Sequence, residues 1–416
     1  MEIKLPYGNR TLTVQAEEDR VIRSNIAALK APEDGGAVVK EAMDAPIGSL
    51  PLWQLARGKK HAVIIISDHT RPVPSRDIIP HMLEQLRRDN PDIDVTLLVA
   101  TGCHRGTTVA ELESKLGREI VEREKIVIHD AFDAERNVDI GVLPSGARLV
   151  IDRVAAETEL LVAEGFIEPH FFAGFSGGRK SVLPGVCDKV TVYGNHCGEF
   201  IAHPKARTGV LEGNPIHTDM VAAAEMAKLA YIVNVVIDEH KRTVAAFAGD
   251  FRKAHAAGVE FLQNYCGAEP VPGDVVITTN GGAPLDQNLY QCVKGLTAAE
   301  ATVKPGGTII LCAEMADGVG GEQFYLDMSR CSDPGELFDR FCATAQQDTV
   351  GDQWQTQILC RIVRKHRVIF VTRPEMRQVL EEMKLEYAPD LDTALAMAGP
   401  GELTVIPDGV GVCIRA

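Results

Sequence analysis

The chain has 416 residues, with 43 Lys and Arg against 58 Asp and Glu, and a formal charge of −15 at neutral pH. That length exceeds one ordinary core and predicts two lobes, while a hydrophobic fraction of 45% excludes a disordered chain. The acidic balance argues against a nucleic-acid partner, which needs a basic face, and the longest obvious apolar run, Ala62–Ile66, has the length of a buried strand and not of a membrane span.

The opening Met1-Glu2-Ile3-Lys4 has no apolar h-region, so a cytoplasmic protein is expected. Its 10 cysteines are scattered from Cys103 to Cys413 without a C-x-x-C pair, which fits reduced thiols and disfavours a cysteine zinc site. Residues 2–14 alternate apolar and polar about Gly8-Asn9 and predict a β-hairpin. Apolar runs then follow at His61–Ser67, Val95–Ala100, Ile126–Ile128, Glu159–Val162 and Ile232–Ile237. Between the first two, Ile78, Ile79, Met82, Leu83 and Leu86 share one face of a predicted helix over 75–88. Strands alternating with helices imply an α/β fold with a largely parallel sheet covered on both faces.

A second α/β lobe is expected from about residue 269 to 399, after the Pro270–Asp274 turn cluster, with the first lobe over 1–268. Its predicted elements are a strand over 275–279, a helix over 285–303, a turn at Pro305-Gly306-Gly307, and strands at 308–312, 368–371 and 403–406. The terminal segment, about 400–416, could return to the first lobe.

Chemistry in open α/β sheets lies beyond the C-terminal ends of strands, and four such places carry unusual polar residues. Ser67-Asp68-His69-Thr70-Arg71-Pro72 reads structurally as a helix start; Arg71 beside helix-terminal N–H groups also suits a phosphate or carboxylate. Thr101-Gly102-Cys103-His104 places a histidine in a turn after a strand. Glu168 to Ser181 combines His170, two phenylalanines and the glycine-rich Ser176-Gly177-Gly178-Arg179-Lys180-Ser181, whose backbone could wrap an anion. That loop nearly fits G-x-x-x-x-G-K-[ST], but Arg179 holds the place of the second Gly, so an ATP-dependent kinase is disfavoured. Asn280-Gly281-Gly282 opens a helix on which Tyr290, Gln291 and Lys294 are neighbours. His196, His203 and His217 match no zinc signature.

Taken together, Asp68-His69-Thr70-Arg71-Pro72, His104, His170 with Phe172-Ala173-Gly174, Ser176 to Ser181, His196 and Tyr290-Gln291-Cys292-Val293-Lys294-Gly295 resemble the nickel-dependent lactate racemase family. Trp354 matches an active-site tryptophan of its lactate-acting members. The likeness runs in order from near residue 60 to beyond 350. It implies two α/β lobes with the active site in the cleft between them. It also implies a nickel-pincer nucleotide, a nickel(II) pyridinium-3,5-bisthiocarboxylate mononucleotide, tethered covalently at Lys180, with His196 as the one protein ligand to nickel. Asp68, His69, Thr70 and Arg71 would bind this cofactor, His104 and His170 would be the acid/base pair, and Arg71, Tyr290, Gln291, Lys294 and Trp354 would bind substrate.

The chemistry is coherent. Nickel suits a planar sulfur, carbon and imidazole site better than zinc does. The α-hydrogen of a hydroxy acid is too weakly acidic for a histidine to remove as a proton, whereas a pyridinium-type ring can accept it as hydride while a histidine takes the hydroxyl proton. The expected activity is therefore an isomerase, racemising L- and D-lactate. Malate, a larger hydroxy acid or a sugar acid are the alternatives within the family, and a non-catalytic nucleotide or nickel carrier is the alternative outside it. The expected partners are a small 2-hydroxy acid and the enzymes that make the cofactor, with neither nucleic acid nor membrane.

Overall fold

The computed structural model describes residues 1–415. Two α/β lobes each carry one main sheet. In the first, the strand order is Thr243–Gly249, Leu229–Ile237, Leu160–Phe166, His61–Ser67, Asp94–Ala100 and Lys125–Ile128. All neighbours are parallel except the Thr243–Gly249 edge strand, which pairs antiparallel to Leu229–Ile237. Ala62–Ile66 is buried on both faces, as its unbroken apolar run requires. The expected helix spans Ser75–Arg87 and buries all five residues of the apolar stripe. Chain order reverses between His61–Ser67 and Leu160–Phe166, and such a switch point leaves a crevice beyond the strand ends.

The second sheet is wholly parallel, in the order Glu386–Ala388, Arg367–Val371, Val303–Cys312, Gly273–Thr279 and Leu403–Ile406. Pro305-Gly306-Gly307 is not a turn before this sheet's second strand but a bulge within it: Gly273 faces Val303 and Val275 already faces Thr308. The helix expected from Leu285 begins at Leu289, because Asp286 is occupied in accepting the Gly8 and Glu314 N–H groups and Asn288 caps the helix through Gln291 N–H.

The hairpin forms as Glu2–Tyr7 and Arg10–Gln15 about Gly8-Asn9. Its place in the sequence assigns it to the first lobe, yet its Ile3, Leu5, Tyr7 and Val14 cluster with Val275, Ile277, Ile310 and Ile369 of the second sheet. The terminal segment divides. Leu403–Ile406 stays in the second sheet, and Cys413–Ile414 pairs with Gly267–Ala268, just after the last helix of the first lobe. One apolar cluster runs through both lobes, joining Ile65, Ala163, Phe172 and Leu183 to Leu289, Val293 and Ile358. No described helix is long and apolar enough to cross a membrane.

Candidate active site

A cavity of about 460 Å³ opens at the switch point of the first sheet and is closed on its far side by the second lobe. Asp68, Arg71, His104, His170, Lys180 and His196 line it from the first lobe, and Tyr290, Gln291, Lys294 and Trp354 from the second. His69 and Thr70 do not reach its wall. His69 turns away, with Nδ1 3.1 Å from Thr107 Oγ1, while Thr70 supports Asp68 from behind. A larger groove of about 760 Å³ lies between helices Ser75–Arg87, Val109–Leu116 and Arg118–Arg123, but its arginines are engaged, Arg87 and Arg123 with Glu124 and Arg118 with Glu122.

The turn that presents His104 is fixed by its backbone. Gly102 has a φ of +52° and donates its N–H to Gly185 O at 2.9 Å, which pins this turn to the end of the glycine-rich loop. His104 Nδ1 lies 2.7 Å from Asp68 Oδ2, and Asp68 Oδ1 accepts both the N–H and the hydroxyl of Thr70. Burial alone would raise the Asp68 carboxyl, but the hydrogen bond and charge of His104, with the Thr70 hydroxyl and Arg71, hold it below its ordinary range. An ionised carboxylate accepts the Nδ1 proton, so neutral His104 keeps Nε2 as its proton-accepting nitrogen.

His170 is prepared in the opposite sense. Its Nδ1 accepts the Ala173 N–H at 3.3 Å, which leaves the ring proton of the neutral form on Nε2. The ring stacks on Phe171 and meets Phe172 edge-on. Burial, then the charges of Lys180, Lys294 and Arg71, push its pKa well below 6.5.

The glycine-rich loop passes under the cavity and ends in a single 3₁₀ turn, Gly178–Ser181, instead of the helix that a P-loop needs. Gly177 adopts a φ of +83°, and a Cβ there would stand 2.7 Å from Asn234 Oδ1, which accepts the Gly178 N–H. Arg179 points into the protein, where its guanidinium donates to Ala173 O and Phe175 O, both at 2.7 Å. Lys180 faces the cavity without an ion-pair partner among the described residues. Burial, Arg179 and Arg71 push its ammonium well below 10.5, toward a neutral amine.

His196 ends the helix Lys189–Asn195 and is gripped edge-on by Phe172 and Trp354, each with its ring centroid 5.1 Å away. Its Nδ1 is buried without a hydrogen-bond partner. Burial, with Lys180 nearby, lowers its pKa to about 3, so the imidazole is neutral, as a metal ligand must be. Among the described residues, no cluster of three or more His, Cys, Asp or Glu is placed to hold a metal ion, so a metal at His196 would take its other donors from elsewhere.

The second lobe supplies a cationic edge. Lys294 Nζ donates to Gln291 Oε1 at 2.6 Å, and burial together with Arg71 brings its pKa down to about 8. Gly295 lets this helix lie close on its strand, since a Cβ there would stand 2.6 Å from Thr279 O. Two carboxylates of the cavity wall lie outside the motifs singled out by sequence, Glu164 and Asp352, and a third, Glu168, opens the His170 motif without an assigned role. Glu164 offers Oε1 to Ser67 and Ser75 while its Oε2 is buried and unpartnered, and burial raises its pKa. A lone Glu inside the apolar run Leu160–Phe166 was the available signal.

Comparison with known proteins bears on this site. The chain matches the models of the lactate racemase N-terminal domain over residues 7–209 and of the lactate racemase C-terminal domain over residues 268–414. It is 48% identical to the lactate racemase of Thermoanaerobacterium thermosaccharolyticum and 49% identical to that of Lactiplantibacillus plantarum, covering 99% of each chain in both cases. The structure superposes on the T. thermosaccharolyticum lactate racemase apoprotein with a TM-score of 0.95 over the whole of both chains. A Thermotoga maritima protein, 17% identical with a TM-score of 0.66 over 93% of this chain and 100% of its own, shares the fold alone.

Proposed function

The chain belongs to the lactate racemase family, and from that premise we propose that it is an isomerase that interconverts L- and D-lactate. The observation that carries the reading is the pair His104 and His170 on one cavity, each with Nδ1 committed and Nε2 free, in opposite tautomers. Racemisation needs a group that takes the hydroxyl proton from one enantiomer and a group that serves the other, and an imidazole positioned on the cavity can fill either role. Arg71 and Lys294 carry the charge that fixes the substrate carboxylate, and Gln291 orients Lys294 through its 2.6 Å bond.

The residues fit a nickel-pincer nucleotide. His196 has a neutral imidazole and an orphaned Nδ1, and Lys180 has an amine of lowered proton affinity without an ion-pair partner among the described residues. When bound, that group supplies an acceptor for the hydrogen on the substrate's α-carbon. His196 would be its single protein ligand to nickel, Lys180 its point of covalent attachment, and Asp68 and Arg71 its neighbours on the cavity wall. The enzymes that make the cofactor are the partners this reading requires. The test is to express the chain in a host that makes the cofactor and to incubate it with each enantiomer of lactate, following chirality by chromatography. Nickel-loaded protein that leaves both enantiomers unchanged overturns the proposal.

A further inference from the structure

Asp352 has no assigned role, and its conformation is unusual. It occupies the N-cap position of the helix Gln353–Val363, yet its side chain makes no capping bond. Its backbone is left-handed, with a φ of +64°, in a residue that is not glycine. Strain of this kind, at a cavity wall, marks a side chain held for a purpose. Here the carboxylate turns to Tyr290, accepting its hydroxyl at Oδ1 at 2.8 Å. Gly351 sets the approach across the cleft, since a Cβ there would stand 3.0 Å from Tyr193 Oη of the first lobe.

The cavity therefore has two electrostatic ends. Lys294 has Arg71 and Glu168 as its charged neighbours, and Arg71 and Lys294 both bear on Lys180. Asp352 instead accepts the Tyr290 hydroxyl, its charge reaches Tyr193 and Cys103, and no described Lys, Arg or His forms an ion pair with it. A hydroxy acid that places its α-carboxylate at the cationic end points its side chain toward Tyr290, Trp354 and Asp352. A methyl group carries no charge for Asp352 to oppose and can pack on the Trp354 ring. A second carboxylate would approach an uncompensated negative charge.

We propose that Asp352 is a specificity-determining residue, whose carboxylate rejects 2-hydroxy acids that carry a second negative charge. This rests on the 2-hydroxy-acid reading of the site and extends it to a residue that selects the substrate class. Asp352→Asn is the discriminating variant, because Asn tolerates the left-handed backbone and still accepts the Tyr290 hydroxyl while removing the charge. Asp352→Gly removes the charge by a second route that also suits a positive φ.

The experiment measures kcat/KM for lactate and for malate on wild-type, Asp352→Asn, Asp352→Gly and Tyr290→Phe holoenzymes. Discharging Asp352 is expected to raise the malate-to-lactate ratio about tenfold or more. Tyr290→Phe keeps the Asp352 charge but removes the hydrogen bond and one hydroxyl of the substrate wall, so rates on both substrates can fall while the malate-to-lactate ratio stays within about twofold of wild type, well below the tenfold that corresponds to about 1.4 kcal/mol. An unchanged ratio in both discharged variants, in enzymes that still racemise lactate, overturns the proposal. A rise in Tyr290→Phe equal to that in Asp352→Asn also overturns it, because the hydrogen bond and not the charge would then be the cause. Wild-type holoenzyme inactive on lactate overturns the proposed function itself, a distinct outcome.

Discussion

Replacing Asp68 with Asn isolates the charge behind His104 with little change of shape. Asp68 is 1% exposed, and its Oδ1 already accepts the Thr70 N–H and hydroxyl, so the Asn oxygen settles there and its NH₂ faces His104 Nδ1. An NH₂ group cannot accept the Nδ1 proton. The ring must turn to the tautomer with its proton on Nε2, and the nitrogen serving the cavity no longer accepts. The imidazolium formed on taking a substrate proton also loses its counter-charge. Two unit charges about 4 Å apart interact by about 4 kcal/mol at an effective dielectric of about 20. The His104 side chain is 44% exposed, and solvent screening reduces this to about 2–3 kcal/mol. The rate of the proton-transfer step should fall about 10²-fold from charge alone, and up to about 10³–10⁴-fold with the tautomer included.

The assay is the initial rate of racemisation from each pure enantiomer, with the mass of the Lys180 peptide, nickel content and melting temperature measured on the same preparation. The Asn oxygen keeps both Thr70 bonds and its NH₂ donates to the turned His104 ring, so the variant should still fold and load while the rate falls. A variant equally loaded with nickel that retains its rate within about threefold would refute the tautomer argument, because even the screened charge predicts more than that.

Intact-protein mass spectrometry on chain from a cofactor-making host should show a nucleotide-sized increment mapping to the peptide that holds Lys180. The increment should be absent in Lys180→Arg, because a guanidinium stays protonated and offers no nucleophilic amine, whereas burial and the neighbouring cations lower the proton affinity of the Lys180 amine. His196→Ala should lose nickel, measured by metal analysis, while still unfolding cooperatively, since its Nδ1 makes no hydrogen bond that the fold would lose and only its packing on Phe172 and Trp354 is given up. His255 contacts Arg179 and donates to Ser176 O, and burial first, then Arg179, lowers its pKa from 6.5 to about 3. The unfolded chain binds that proton first, so the stabilisation is complete above 6.5 and declines as pH falls, by about 1.4 kcal/mol per unit and about 2 kcal/mol by about pH 5. Chemical denaturation across that range should show a pH slope shallower by about one proton in His255→Gln.

Much of this architecture was legible because the first sheet is covered on both faces. That burial demands unbroken apolar strands such as Ala62–Ile66, and polar clusters directly after such strands stand out. The edge strand Thr243–Gly249 was not legible. Its half-buried Ala-rich sequence carries little β preference, and its place is set by Leu229–Ile237 beside it. The docking of the N-terminal hairpin on the second sheet is a contact between residues more than 250 positions apart, such as Ile3 and Ile277, and local pattern holds no trace of it. Asp352 escaped notice because Asp before a helix ordinarily reads as a cap. Only the left-handed backbone and the bond to Tyr290 set it apart.

Direction is the property that sequence motifs withhold, and the glycine-rich loop shows why. Arg179 and Lys180 are adjacent, both basic, and equally suited on paper to meet an anion. In the fold they part. Arg179 is 1% exposed and faces inward, where its fork of donors meets the carbonyls of Ala173 and Phe175 and lies against His255. A lysine could not span those acceptors from one point charge, and a neutral residue would remove the charged donor that they share. Lys180 faces the cavity with no described carboxylate in ion-pair contact, and burial with the cations Arg179 and Arg71 outweighs the more distant Glu168 and lowers its proton affinity. The cation that spoils the P-loop motif thus shapes the loop from behind and favours the free amine in front, which is the state a lysine needs to form a covalent bond.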